Sequence, residues 1–261
     1  MAIEKFVAVL LMLPAFAIAA EDEIATDRPD FVESSNVVGK GRFQIETSFA
    51  ADRNKADGFK DKAYATPTLL RYGVSDDWEL RLETAGRIRA TSTDTASGAR
   101  VTDSGYGDVS LGVKWHVADE QGARPSVGLL AHVDMDTGSA PFRAQGTGYS
   151  LRLVAEWELA NDFSLGIMPG IASQVNDDGD RYTGGIFGIV IGKGWTDQFR
   201  GFVEYSSEQI AHVRDGGTSS SLNAGVAYLL TNTVQLDTAL SRGLNSRTPD
   251  WGWTVGLSIK F

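Results

Sequence analysis

Apolar and polar residues alternate with a period of two along nearly the whole chain, and this constrains its fold more than any other feature. In the final stretch, WGWTVGLSIKF, one parity holds Trp251, Trp253, Val255, Leu257, Ile259 and Phe261. The other holds Gly252, Thr254, Gly256, Ser258 and Lys260. Period two places successive side chains on opposite faces of a strand, whereas a helix needs 3.6. The same alternation runs through GRFQIETSF, WELRLETA, DVSLGVKWHV and YSLRLVAEWEL. It is looser in SVGLLAHVDM, FSLGIMPGIA, FRGFVEYSS, SLNAGVAYLL and VQLDTALS, and noisy in YATPTLLRYGV and YTGGIFGIVIG. These make twelve strand candidates, near the length at which a tilted strand crosses a bilayer.

The connections alternate too. Short turns fall at 75–77, 119–124, 160–162, 196–198 and 231–233, and longer polar loops at 52–62, 91–105, 136–147, 174–181, 210–217 and 243–250. Short periplasmic turns, longer external loops and an even strand number are the pattern of bacterial outer-membrane barrels. The fold expected is therefore an all-β, antiparallel up-and-down transmembrane barrel of about twelve strands, with both termini periplasmic. Aromatics flank the short turns: Trp78, Phe163 and Phe199 after them, Trp115, Trp157, Trp195 and Tyr228 before them, with Phe261 at the same level. That row predicts an interfacial girdle. A soluble sandwich also alternates, but it has edges to protect and no reason for a one-sided aromatic row.

The N-terminus reads as a secretory leader. Lys5 precedes an apolar run from Phe6 to Ile18, Ala17-Ile18-Ala19 is a small-residue cleavage signal, and acidic residues follow. This predicts a signal peptide over 1–19, too short to span a bilayer as a helix. The chain has no cysteine, so no disulfide supports it. The net charge of −10 argues against a nucleic-acid partner. Residues 20–40 lack the period, and Pro29 excludes a central strand. They are expected to form a periplasmic segment, either a loose leader or a plug or gate at the mouth of a barrel spanning 41–261.

The stretch TDRPDFVESSNVVGKGRFQIETSF, followed by this strand pattern and a terminal Phe261, resembles the outer-membrane transporter family of the phenol-degradation meta pathway. Thr26, Asp27, Arg28, Pro29, Asp30 and Glu33 carry the resemblance, with Gly39, Gly41, Phe43, Gln44, Ile45 and Glu46. The resemblance implies uptake of aromatic compounds. The terminal aromatic, with Trp253 on the same face, resembles the signal that the barrel-assembly machinery reads.

Inward parity collects the charges: Arg42, Glu46, Glu79, Arg81, Glu83, Lys114, His116, Arg152, Glu156, Arg200, Glu204 and Asp237, with Asp134 and Lys260. Charges facing lipid near the midplane would cost about 2–4 kcal/mol each, so they should line the lumen. They leave open a wet channel or a plug of ion pairs. Catalysis finds little support. His116, His132 and His212 have no serine in a nucleophile setting, and GDVSLG has one residue too many for a nucleophile elbow. GIVIGKG lacks the first Gly and the final Ser/Thr of a phosphate loop, and NDDGD lacks the spacing of a calcium loop. No enzyme, cofactor or metal is expected. The reading is a narrow, charge-lined channel for passive movement of small, aromatic or hydrophobic molecules. Its expected partners are outer-membrane lipid, lipopolysaccharide, the assembly machinery and the solute, with a monomer favoured. The alternative is a structural or adhesive barrel with no open path, and a barrel hydrolase is third.

Overall fold

The computed structural model describes residues 23–261; the expected leader, 1–19, lies outside the described residues. The strands are β1 (Phe43–Ala56), β2 (Phe59–Ala65), β3 (Thr68–Gly73), β4 (Trp78–Thr84) and β5 (Arg87–Asp94). Then come β6 (Arg100–Tyr106), β7 (Val109–Ala118), β8 (Ser126–Met135), β9 (Gly148–Leu159) and β10 (Phe163–Val175). The last are β11 (Arg181–Thr196), β12 (Phe199–Ile210), β13 (Ser219–Thr231), β14 (Val234–Gly243) and β15 (Trp251–Lys260). All pairings are antiparallel, and β1 also pairs with β15, from Gln44 opposite Lys260 to Arg53 opposite Trp251, so the sheet closes. Strands β2 and β3 are two lengths of one staff broken at Thr66 and Pro67. So are β4 and β5, broken at Ala85 and Gly86, and β6 and β7, broken at Gly107 and Asp108. Counted in this way the barrel has 12 strands, as the alternation predicts.

Burial follows the pleat. In β1, Gln44, Glu46 and Ser48 are buried toward the lumen, while Phe49 is exposed. Leu80, Leu151, Ile171, Ile191, Val203 and Leu240 are among many large apolar side chains left bare on the outside. A continuous band of this kind is tolerated by lipid and not by water. At the short-turn end, Trp78 stacks on Trp115 at 5.3 Å and Trp195 lies 5.0 Å from Phe199. Phe261 stacks on Phe43 at 6.4 Å, and its N–H donates to the Phe43 carbonyl at 2.8 Å. The terminal phenylalanine thus completes the girdle where the last strand meets the first.

Two of the expected long loops are strand instead. Over 52–62, β1 continues to Ala56 and turns tightly at Asp57 and Gly58 into β2; over 91–105, β5 and β6 form a hairpin around 95–99. The hydrophobic alternation fades there because both faces have left the lipid, while the backbone ladder continues regardless. Parity also changes. Thr84 is opposite Thr68, and Arg89 is opposite Tyr64, so all four point outward although Thr84 and Arg89 are five residues apart. One extra residue at Ala85 and Gly86, with Gly86 at φ +64°, produces this shift as a β-bulge. A matching shift occurs at Gly107 and Asp108, since Tyr106 pairs with Arg87 and Val109 with Thr84.

Candidate functional site

Residues 23–40 adopt no strand or helix, yet about half of their backbone amides have a hydrogen-bond partner. An irregular segment away from bulk water must find partners for its N–H groups, and here the inward carboxylates of the wall supply them. Glu46 accepts from the Asp27 N–H at 3.0 Å, and Glu204 accepts from Phe31 and Val32 at 2.9 and 2.7 Å. Glu156 accepts from Ser35 at 2.6 Å, and Glu79 from Val38 at 3.0 Å. At its start, the Ile24 N–H donates to Asn232 in the last short turn. The inward charges found by parity are therefore a cradle for a segment of the same chain.

The centre of the cradle is Asp27. Arg71 on β3 lies directly opposite Arg81 on β4, and like charges across a ladder repel. Glu79, one register step away, binds both guanidinium groups at 2.9 Å. Asp27 then drops its carboxylate onto the same cluster. It bonds Arg81 Nη1, accepts from Lys114 Nζ at 2.8 Å and lies 3.4 Å from Arg71. Arg71, Glu46, Glu79 and Lys114 are wholly excluded from solvent. Burial disfavours the charged form of Asp27, but Arg71, Lys114 and Arg81 outweigh it and hold the carboxyl well below the usual carboxylate range. Glu33 extends the network, 2.7 Å from Arg81 and 2.6 Å from Arg152.

Arg28 pairs with Asp237 at 3.0 Å, and Thr26 Oγ1 donates to the Arg28 carbonyl at 2.9 Å. Asp30, after Pro29, lies 3.8 Å from Arg200, whose guanidinium donates to the Arg28 carbonyl. Glu83 binds Arg81 and lies 3.1 Å from His132 Nε2. His116 meets the Ser35 carbonyl and Asp119, both at 3.1 Å. Arg42 is not on a strand; it sits half-buried at the rim. Trp253 is on the outer face, its indole N–H donating to Thr238 Oγ1. Among the described residues no serine hydroxyl bonds a histidine ring, so the three histidines do not form a nucleophile–base pair in this structure.

Sequence reasoning missed Arg71 and Gln235. Arg71 lies in the noisy YATPTLLRYGV stretch, yet a cation flanked by Leu70 and Tyr72 carries the same parity signal. It also missed an apolar patch on the inner wall. Val32 packs with Leu130, Val154, Met168, Val190 and Phe202, and Phe31 rests against the group. Inward residues that are apolar make both faces alike, which is why YTGGIFGIVIG reads as noise. Gly188 leaves the recess for this wedge, since a Cβ there would lie 2.7 Å from Val32 and 3.1 Å from Phe31. Gly188→Leu is accordingly expected to push Phe31 and Val32 off the wall while the barrel still folds. The readout is protease cleavage within 23–40 at least about tenfold faster, as for an undocked segment. Unchanged cleavage in a heat-modifiable barrel would sink it.

Two cavities meet the segment from opposite sides. One of about 770 Å³ opens toward the long loops and is lined by Asp27, Asp30, Phe31, Arg152 and Glu204. The other, of about 420 Å³, opens toward the short turns and is lined by Glu23, Ile24, Asp30, Val32 and Glu156. Asp30 lines both.

Solved structures share this architecture. An outer membrane channel from Pseudomonas putida F1 aligns with a TM-score of 0.61 at 12% identity, over 87% of this chain and 98% of that one. The β domain of a Bordetella autotransporter, BrkA, aligns at 0.56 with 14% identity, over 85% and 100%. The KdgM porin aligns at 0.51 with 9% identity, over 84% and 99%. At these identities the likeness is one of fold. No curated protein matches the chain by sequence. The family model described as "Putative MetA-pathway of phenol degradation" matches residues 26–261, from the first residue of the cradled motif to the terminal phenylalanine, and the chain belongs to that family.

Proposed function

We propose that this barrel is an outer-membrane channel for passive diffusion of small, uncharged or weakly hydrophobic molecules, aromatic ones among them, and that residues 23–40 are its gate. The observation that carries the reading is the pair of cavities that end on the same short stretch, Asp27 to Val32, from opposite sides. Moving that stretch would join them into one path. The short turns and both termini face the periplasm in this reading, so the gate is reached from inside. No step of it asks the chain to make or break a bond, so we read it as a channel rather than an enzyme.

The linings favour neutral solutes over polyanions. Carboxylates outnumber guanidinium groups in both: Asp27, Asp30, Glu33, Asp52, Glu83, Glu204 and Glu208 against Arg28, Arg81, Arg152 and Arg247 around the outer cavity, and Glu23, Asp30, Glu120, Glu156, Glu158 and Asp197 against Arg200 around the inner one. Carboxylates in a narrow low-dielectric path repel anions. Proteoliposome swelling is expected to be faster in an uncharged phenyl glycoside than in a sugar dicarboxylate of similar size, by at least about fivefold at low salt. The reverse order would sink the solute assignment.

A further inference from the structure

The strand halves that rise beyond the lipid band sort their charges by face. Arg53, Lys55, Lys60, Lys62, Arg89 and Arg100 are exposed on the outward parity of β1, β2, β5 and β6. Arg87 joins them, on the same face as Tyr64 by way of the bulge at Ala85 and Gly86. That face of these strands carries no carboxylate. Their acids, Asp52, Asp61, Asp94 and Asp103, have inward parity. No ion pair among the described residues holds any of the seven cations, although the chain as a whole carries −10. A hairpin bathed by water on both sides has no physical reason to segregate charge in this way.

The height of the patch suggests what it meets. Lys55 is twelve residues beyond Phe43 of the lower girdle, which at strand rise and barrel tilt is roughly 30 Å. The apolar band is about 25 Å tall, so the cations stand at head-group level. Aromatics interleave with them as at an interface. Tyr64 stacks on Phe49 at 5.8 Å and is opposite Arg89; Trp251 is opposite Arg53 and lies 4.9 Å under the Arg242 guanidinium.

We propose that this outward basic face, centred on Lys60, Lys62, Arg89 and Arg100, is a docking surface for the phosphorylated glycolipid of the outer leaflet, lipopolysaccharide. Its amines and guanidinium groups would take the lipid A phosphates, and the apolar wall below would take the acyl chains. Phosphate oxygens match guanidinium forks in bidentate geometry, and lysines serve as point charges. Each cation near an anionic membrane surface adds measurably to binding. The proposal rests on the orientation given above, with the hairpin ends outside.

The test measures binding of lipopolysaccharide micelles to the full barrel in neutral detergent, with enzymatically dephosphorylated lipopolysaccharide as comparison. The variants are Lys60→Gln/Lys62→Gln/Arg89→Gln/Arg100→Gln and, as a control on the inward face of the same strands, Asp61→Asn/Asp103→Asn. The quadruple variant is expected to bind about thirtyfold more weakly or worse, the control to bind as the parent, and the parent to lose a similar factor on dephosphorylated lipid. Equal binding of parent and quadruple variant, or of the two lipids, overturns the proposal, and the lipid comparison needs no variant to fold. Orientation is read separately from Lys60→Cys, since the chain has no other cysteine. Labelling by an impermeant maleimide on intact cells supports the outward hairpin, and protection until the membrane is opened overturns orientation and docking together. Labelling without phosphate-dependent binding overturns the docking alone.

Discussion

Deleting residues 23–38 is expected to turn a silent or flickering barrel into a steadily conducting one in a planar bilayer. The segment fills the middle of the lumen, bonding strands around the wall: Glu46 on β1, Arg71 on β3, Lys114 on β7, Glu204 on β12 and Asp237 on β14. Eight-stranded barrels are filled by their own side chains, but a twelve-stranded one is wider and needs something more to fill it. Conductance should therefore rise at least about fivefold on deletion. The wall should survive, because its hydrogen-bonded ladder closes through β15 and β1 without the segment. Heat-modifiable gel mobility checks that it has. Silence in both the intact and the truncated protein, with the barrel folded, would remove the diffusion reading and favour a structural barrel.

Replacing Asp27 with alanine is the point change with the largest expected effect on docking of the segment. Lys114 loses its closest carboxylate; it keeps the Ser34 carbonyl at 2.7 Å, but of carboxylates only Glu79 at 3.9 Å and Glu33 at 4.0 Å. Arg71 and Arg81 still hold Glu79, but the repulsion between them is less well screened. Breaking one partner out of a buried ion cluster costs about 3–5 kcal/mol, a shift of at least about a hundredfold in the docked-to-free ratio. A cysteine placed at Ser34 and titrated with an impermeant thiol reagent reads that ratio. Adding Lys114→Met to Asp27→Ala should restore part of the docking, since an apolar side chain needs no counter-charge. Additive losses would instead mean that the two residues act separately.

The same cluster fixes a pH response. A carboxylate whose folded pKa is depressed contributes stability above its unfolded value, near 3.9, and loses it only as pH falls through the lower folded value. Asp27 is such a group. The Asp27-dependent difference in thiol protection should therefore remain essentially undiminished down to about pH 4. Loss of that difference between pH 6 and 5 would contradict the cluster as described.

Much of this was legible because lipid imposes a strict rule on a strand. Lipid-facing positions exclude charge and favour apolar side chains, and the alternation can be read directly from Phe43 to Phe49 or from Trp251 to Phe261. The turn-side girdle, the closure and the inward parity of Glu46, Glu79, Arg81 and Lys114 follow from it. Where the rule lapses, the alternation disappears. The hairpin of β5 and β6 has water-compatible residues on both faces, so its sequence carries no strand period. The bulge at Ala85 and Gly86 changes parity, and it places Arg87 and Arg89 outside rather than inside.

The site divides in the same way. Sequence alone determined that this chain makes a closed membrane barrel with charges inward, because the cost of a charge in lipid acts on each residue separately and needs no partner. It could also mark residues 26–33 as special by their resemblance to a family motif. What only the tertiary structure decided is the pairing. Asp27 and Lys114 are 87 residues apart, Phe31 and Glu204 are 173 apart, and they meet because closure of the sheet brings every strand within reach of one central segment. Parity says which way a side chain points; only the closed ladder, with its bulges and its glycine recesses, says what it points at.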